Sequence, residues 1–385
     1  MPVVFDEIHK YKADMIRASV NQAIGRLSVD FRGKRSAFIK VNLVRPAGPE
    51  SCVVTHPAVA EGLIQSLREH GVGDITIAEG SAAGVDTECA FRKSGYQALA
   101  DRLRVRLLDL NSNSTKRCAT AWDHGTLDLP VDAVQSDLYI NVPKMKTHFH
   151  TGVTLSIKNQ QGLLTPAAKK ATHREHDLDP GLVSIAKVIR PHLVVVDGID
   201  AMEGEGPTKG VKKHAGVLVC GDDMLETDIA CCAFMGVPAL TIRHLKLAAE
   251  QGVGRVEPEI IGEAFALLRT SFVMPSPKPK QLLNFYSWKN YRACAEDEHS
   301  FEEAVHLALV TPRYWFTFFP KFLYFSVLGR FHLLRGIDAS FPDGPGRVLC
   351  IGECCRKLAE EREVSFVPGC PPKPEDIVET IRRMK

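Results

Sequence analysis

The sequence predicts an α/β protein: a doubly wound, mostly parallel sheet with helices on both faces, followed by a C-terminal extension. Two observations predict it. Buried strand-like runs alternate with helical patterns through the first two-thirds of the chain, as a parallel sheet covered on both faces requires. Near 272–281 the character then changes, because Pro275, Pro277 and Pro279 break any helix. The first expected strand is Ser36–Val44, and the helix Pro57–Gly71 after it sets Val59, Leu63 and Leu67 on one face. The strand Asp74–Ala78, the helix Ala98–Leu103 and the strand Val105–Leu110 continue the pattern. Further strands are expected at Leu138–Val142, Leu193–Val196 and Val217–Cys220, and helices at Leu182–Ile189, Leu225–Met235 and Leu245–Gln251. The chain therefore divides into an α/β core (1–271), an aromatic-rich linker or cap (272–340) and a small cysteine-bearing segment (341–385).

Composition bounds the function. With 45% hydrophobic and 24% charged residues among 385, the chain is that of a globular protein. Lys and Arg number 48 against 46 Asp and Glu, which argues against a global polyanion-binding role, so no nucleic-acid partner is expected. No apolar run reaches the roughly 18 residues of a membrane span. Met1-Pro2-Val3-Val4 opens no secretory signal pattern, and with eleven cysteines this leads us to expect a cytoplasmic location.

In an open parallel sheet, ligands bind beyond the carboxyl ends of the strands. Each expected strand is followed there by polar residues. Lys40 and Asn42 end the first, Glu79 the second, Lys144, Lys146, Thr147 and His148 the fourth, and Asp197 the fifth. The densest stretch, Asp137 to His176, holds six lysines and arginines against two acids, with His148, His150, His173 and His176. It reads as a basic loop offering a positive field to a carboxylate or phosphate. Lys144, Lys146 and Lys158 are expected to bind that anion, with His148, Lys158 and Lys146 in the catalytic roles. Lys40, Asn42, Glu79, Thr147, Asn159 and Asp197 complete the expected substrate site. The glycines of Glu203–Gly210 permit a close approach of backbone to a ligand.

Lys40-Val41-Asn42-Leu43, Thr55-His56-Pro57, Ser94-Gly95-Tyr96, Asn141 to His148, Lys158-Asn159 and Gly206-Pro207 occur in that order. In this the chain resembles the family called "domain of unknown function 362", some members of which carry iron–sulfur modules. The resemblance covers about residues 35–255. In layout, Asp137 to His176 is similar to the nickel-pincer-nucleotide lactate racemases. In those enzymes a catalytic histidine shortly precedes a cofactor-holding lysine, and a metal-binding histidine follows. The matching positions are His148, Lys158 and His173 or His176, which also form an alternative metal site. Val153–Lys158 replaces the glycine-rich approach of those racemases, so the nickel-pincer nucleotide is not expected.

Cys350, Cys354, Cys355 and Cys370 fall within 21 residues, a spacing of thiolates that suits an iron–sulfur cluster or another metal ion. The segment resembles local elements of the cluster-binding small subunit of complex I and hydrogenases. The alternative is that Cys350 simply ends a buried strand. From Tyr314 to Phe331 nine of 18 residues are aromatic, and no acid occurs between Ala304 and Ile337. This suits a buried cap, a substrate lid, a subunit contact or a peripheral membrane contact through 313–335. The membrane reading expects Tyr314, Trp315, Phe318, Phe319, Phe322 and Phe325 to form an exposed patch edged by Arg313, Lys321 and Arg330. The expected function is a metal- or iron–sulfur-dependent oxidoreductase acting on a small anionic substrate, with an electron-transfer partner. The alternatives are a redox-neutral racemase or isomerase of a hydroxy acid, and a membrane-associated binding protein without catalysis.

Overall fold

The computed structural model describes residues 2–384 except 28, 123–124, 175–177, 276–279, 283–284, 290–294, 328, 336–341, 343–345 and 370. The chain forms two compact units, Met1–Pro275 and Ser276–Lys385.

The strands of the first unit are β1 (Pro2–Glu7), β2 (Ser36–Lys40), β3 (Asp74–Glu79), β4 (Arg106–Asp109), β5 (Arg117–Trp122), β6 (Gly125–Pro130), β7 (Leu138–Asn141), β8 (Lys144–His148), β9 (Gly152–Thr154), β10 (Leu193–Glu203), β11 (Val211–Gly221) and β12 (Glu259–Ile261). The main sheet runs β12-β1-β11-β10-β7-β2-β3-β4, with β8 pairing β10 and β9 pairing β8. The pairs among β10, β7, β2, β3 and β4 are all parallel, while β11 is antiparallel to both its neighbours. Strand residues alternate between two cores, as the pleat demands. Ile39, Ile77, Ile140 and Val195 pack on one face with the helices Ala13–Ile24 and Pro57–Glu69. Phe38, Ala78 and Tyr139, and Val194 and Val196, point into cores on the other. The expected doubly wound α/β class is what the chain adopts.

Several boundaries differ. β2 ends at Lys40, because 41–44 leave the sheet and Leu43 bridges Val54 instead. β10 and β11 run on together as an 11-residue antiparallel pair, far beyond their expected apolar centres. The stretch from Asp137 to His176 is not a solvated loop. It contains β7, β8 and β9 and the helices Ser156–Asn159 and Pro166–Arg174. The backbone at 204–210 approaches β8 closely: Thr147 Oγ1 donates to Gly204 O at 2.8 Å, and Phe149 N to Gly206 O at 3.0 Å.

The second unit holds β13 (Lys280–Leu282), β14 (Phe285–Lys289), β15 (Phe331–Arg335), β16 (Arg347–Ile351) and β17 (Ser365–Val367), hydrogen-bonded in that order. β14 to β17 are parallel. β15, from the aromatic stretch, pairs directly with β16, which carries Cys350. Tyr314, Phe318 and Phe325 are buried in this unit's core with Leu333, Leu349 and Ile377, so they do not form the exposed patch expected of them. Phe319 and Phe322 are half-buried against the same core. The aromatic run is amphipathic, and its inner face packs in the core of this unit with residues of β15 and β16.

Candidate functional site

β3 and β4 lie on one side of β2, and β7, next to it in space, lies on the other. The strand order thus reverses between β2 and β7, which is where a doubly wound sheet opens a crevice at its carboxyl edge. Lys40 ends β2 and Asn141 ends β7, directly opposite each other in register. The expected residues Lys40, Asn42, Glu79 and Asn159 are brought together there.

Lys40 Nζ lies 2.6 Å from Glu79 Oε1 and donates to Val41 O at 2.7 Å and Asn159 Oδ1 at 3.4 Å. Its three donors therefore meet three acceptors. Burial pushes Lys40 down and Glu79 beside it pushes back up. Glu79 also accepts from Leu43 N (2.6 Å) and Gly80 N (2.8 Å), fixing the chain on both sides. Asn159 is a hub: its Oδ1 accepts from Asn42 Nδ2 at 2.9 Å, and its Nδ2 donates to Asn141 Oδ1 at 2.7 Å. Among the described residues the buried Asn42 Oδ1 has no hydrogen-bond donor. The helix Ser156–Asn159 that carries the hub is capped by the buried Asp228, which accepts from Ser156 N at 2.7 Å and Ile157 N at 2.9 Å.

A second buried pair lies on the other side of β7. Lys144 Nζ meets Asp197 Oδ2 at 2.9 Å and donates to Tyr11 OH at 2.9 Å. Tyr11 OH donates to Asp197 Oδ1 at 3.0 Å, and its ring stacks on His56 with centroids 3.7 Å apart. Burial, then Asp197, push the Tyr11 hydroxyl far up, so it stays a neutral donor.

Lys146 differs from these. It is fully buried, and among the described residues Nζ has a single hydrogen-bond acceptor, Val53 O at 2.7 Å. Burial, then Lys144 and Lys158, depress it from 10.5 to about 7. Lys169 also falls to about 7, mainly through burial, yet Gly80 O, Ser81 O and Asn111 Oδ1 surround it at 2.7–2.9 Å. Lys158 is half-buried and bonded to Gln161 Oε1. Thr147 serves the backbone of 204 as described above. His148 Nδ1 accepts from His150 N at 3.0 Å and Thr151 N at 3.3 Å, so the neutral ring carries its proton on Nε2. In that tautomer Nε2–H is the donor side of the His148 ring.

His176 lies outside the described residues, as does the side chain of His173. In the second unit, Cys350 is the last residue but one of β16, and Gly352 at φ 88° turns the chain into Glu353–Cys355. Cys355 Sγ donates to Leu334 O at 3.6 Å; Cys355 beside it lowers the Cys350 thiol, and Cys350 and Cys354 push Cys355 up. Cys370 lies outside the described residues. Among the described residues no group of three or more His, Cys, Asp or Glu side chains is arranged to hold a metal ion.

The sequence reading missed Tyr11, His56, Lys169 and Asp228 as parts of the site. Tyr11 precedes the first helix and His56 caps the next, so neither follows a strand. Asp228 sits in a helix buried on almost every side, where a buried acid is itself a signal.

The chain is 28% identical over 256 residues to the thylakoid-associated protein sll1697 of Synechocystis sp., an alignment covering 63% of this chain and 77% of that protein. Among solved structures it is similar to the lactate racemase apoprotein of Thermoanaerobacterium thermosaccharolyticum (TM-score 0.41, 11% identity, 99% of this chain and 90% of that one). It is also similar to a protein from Thermotoga maritima (TM-score 0.37, 10% identity, 98% and 84%). No helix among the described residues is long and apolar enough to cross a membrane. The family model "Domain of unknown function (DUF362)" matches residues 38–233, which take in Lys40, Glu79, Asn141, Lys146, Asn159 and Asp197, and the chain belongs to that family.

Proposed function

We propose that the chain is an enzyme that binds a small carboxylate or phosphate at the carboxyl ends of β2, β3, β7 and β10 and exchanges a proton with it through Lys146. The observation that carries this reading is the unequal saturation of the buried lysines. Lys40 and Lys169 have as many acceptors as an ammonium has N–H bonds, whereas Lys146 has one. A buried ammonium with two unmet donors is costly, so without ligand Lys146 is best accommodated as a neutral amine. An anion would supply both the missing acceptors and the compensating charge, and Lys146 would take up a proton as it binds. A group poised near pH 7 is suited to general acid–base work. His148, as an Nε2–H donor, would hold a substrate oxygen. This favours redox-neutral proton transfer next to a carboxylate, as in a racemase or isomerase.

Calorimetric titration of the full chain with inorganic phosphate and a panel of 2-hydroxy acids tests the reading. In buffers of different ionisation enthalpy, binding at pH 8 should show proton uptake that is lost in Lys146→Met and kept in the exposed-site control Lys357→Met. Binding without proton uptake, or unchanged in Lys146→Met, overturns it.

A second reading, the metal- or iron–sulfur-dependent oxidoreductase with an electron-transfer partner, rests on the sequence spacing of Cys350, Cys354, Cys355 and Cys370. Iron or zinc in anaerobically purified protein, lost in Cys355→Ser, would support it. For location we propose the cytoplasm, peripheral to the inner face of a membrane; the Synechocystis relative is named for thylakoid association.

A further inference from the structure

The aromatic stretch of the second unit has two faces, and only the inner one is accounted for by its core. On the outer face Phe316 is 85% exposed, Leu323 60% and Tyr324 50%, with Val327 also open. Phe316, Pro320, Leu323, Tyr324 and Val327 recur every three or four residues, so they line one side of the helix Phe319–Val327 and of the turn before it. Trp315, 53% exposed, extends the stripe. Its Nε1 donates to Leu309 O at 2.8 Å, which ties the ring to the open apolar end of the helix Ala295–Val310, where Leu309 and Val310 are exposed. Large apolar side chains gathered in this way mark an interaction surface.

The charges around it identify the partner. Arg313 and Arg330 are exposed at its borders, and Lys321 is half-buried with Nζ on Arg382 O. Arg347 reaches over Phe325 from the side of the sheet. From Ala304 to Ile337 the sequence contains no acid. A protein partner would not require that one-sided field, but an anionic bilayer does: aromatic and aliphatic groups enter the interface while cations meet the headgroups.

We infer that the stripe Trp315, Phe316, Leu323, Tyr324 and Val327, with Arg313 and Arg330, docks this protein on the surface of an anionic lipid bilayer. The inference deepens the peripheral location proposed above and is independent of the anion site.

Co-sedimentation of the full chain with vesicles of equal parts phosphatidylcholine and phosphatidylglycerol tests it. Binding should exceed that to phosphatidylcholine alone and weaken as salt rises. Phe316→Asp with Leu323→Ser should lower vesicle affinity roughly ten-fold or more, and Arg313→Gln with Arg330→Gln should remove most of the salt dependence. Val211→Ser, at an exposed apolar position of the first unit, should bind like the parent. Phosphate calorimetry on the same samples should not change, so failure of the docking surface is distinguishable from failure of the anion site. Equal binding by the Phe316→Asp, Leu323→Ser variant overturns the inference. So does a dimer in sedimentation velocity that this variant dissolves, since the stripe would then serve a second copy.

Discussion

Lys40 and Glu79 meet at 2.6 Å at the reversal point of the sheet, and neither side chain reaches solvent. Breaking a buried pair leaves one uncompensated charge, whereas replacing both partners can be nearly neutral. Glu79→Gln should therefore cost about 3–5 kcal/mol in urea unfolding, since Lys40 remains and the Leu43 and Gly80 amides lose a charged acceptor. The double variant Lys40→Met, Glu79→Gln should recover part of that loss. A single-variant cost under about 1 kcal/mol would mean that the pair opens to water in solution.

Lys146 gives a pH-dependent prediction with a definite sign. Its folded-state value, about 7, lies below the ordinary 10.5, so between those values the unfolded chain binds a proton that the folded chain does not. Stability from this group is lowest at and below pH 7 and rises with pH, by at most about 1.4 kcal/mol per unit. Lys146→Met removes that dependence. The variant should be more stable than the parent at pH 7, and the gap should narrow steadily towards pH 10. A gap that stays constant over this range would show that Lys146 is charged in the folded chain.

How much of this was legible follows from the kind of contact involved. Lys40 and Glu79 are the last residues of β2 and β3, and Lys144 and Asp197 follow closely on the expected strands Leu138–Val142 and Leu193–Val196, so polar residues at the carboxyl ends of the apolar runs pointed to all four. The basic stretch misled because charge was read as exposure. Lys144 and Lys146 are wholly buried in β8, a strand whose five residues show no apolar run. Tyr11 and Asp228 reach the site from elements that are not its strands, and only tertiary packing brings them there. The tail was legible in outline: the 14 residues between Cys355 and Cys370 leave room for a helix over 356–362 and a return strand over 364–367, and the structure forms Arg356–Arg362 and Ser365–Val367 there.

Gly162 should admit no side chain. A Cβ there would lie 2.5 Å from Lys40 Cε and 2.6 Å from Lys40 Nζ, and closer still to Glu79 Oε1. These are the atoms of the pair itself, already held by three further hydrogen bonds, so they have little freedom to retreat. Gly162→Ala should cost about 1–3 kcal/mol and weaken phosphate binding. Shortening the acid in Gly162→Ala, Glu79→Asp should restore part of the stability. Full tolerance of the single variant by thermal unfolding would mean that 160–163 can shift away from β2.

Asp228 should control the site from behind. It latches Ser156 N and Ile157 N, and so places the short helix whose last residue, Asn159, ties Lys40, Asn42 and Asn141 together. Burial pushes its carboxyl up to about 8, against the two amide bonds that favour the charged form. Because that value is raised above the ordinary 3.8, the folded chain holds a proton that the unfolded chain has lost between those limits. Stability from Asp228 is full at pH 4 and falls as pH rises towards 8. Asp228→Asn cannot ionise and keeps an oxygen acceptor, so its stability relative to the parent should improve with pH over that range, with phosphate affinity retained. Asp228→Ala leaves both amides unmet and should cost about 1–3 kcal/mol, with a loss of phosphate affinity. Equal phosphate affinity in the Ala and Asn variants would show that Asn159 keeps its place without the latch, and that Asp228 serves the core alone.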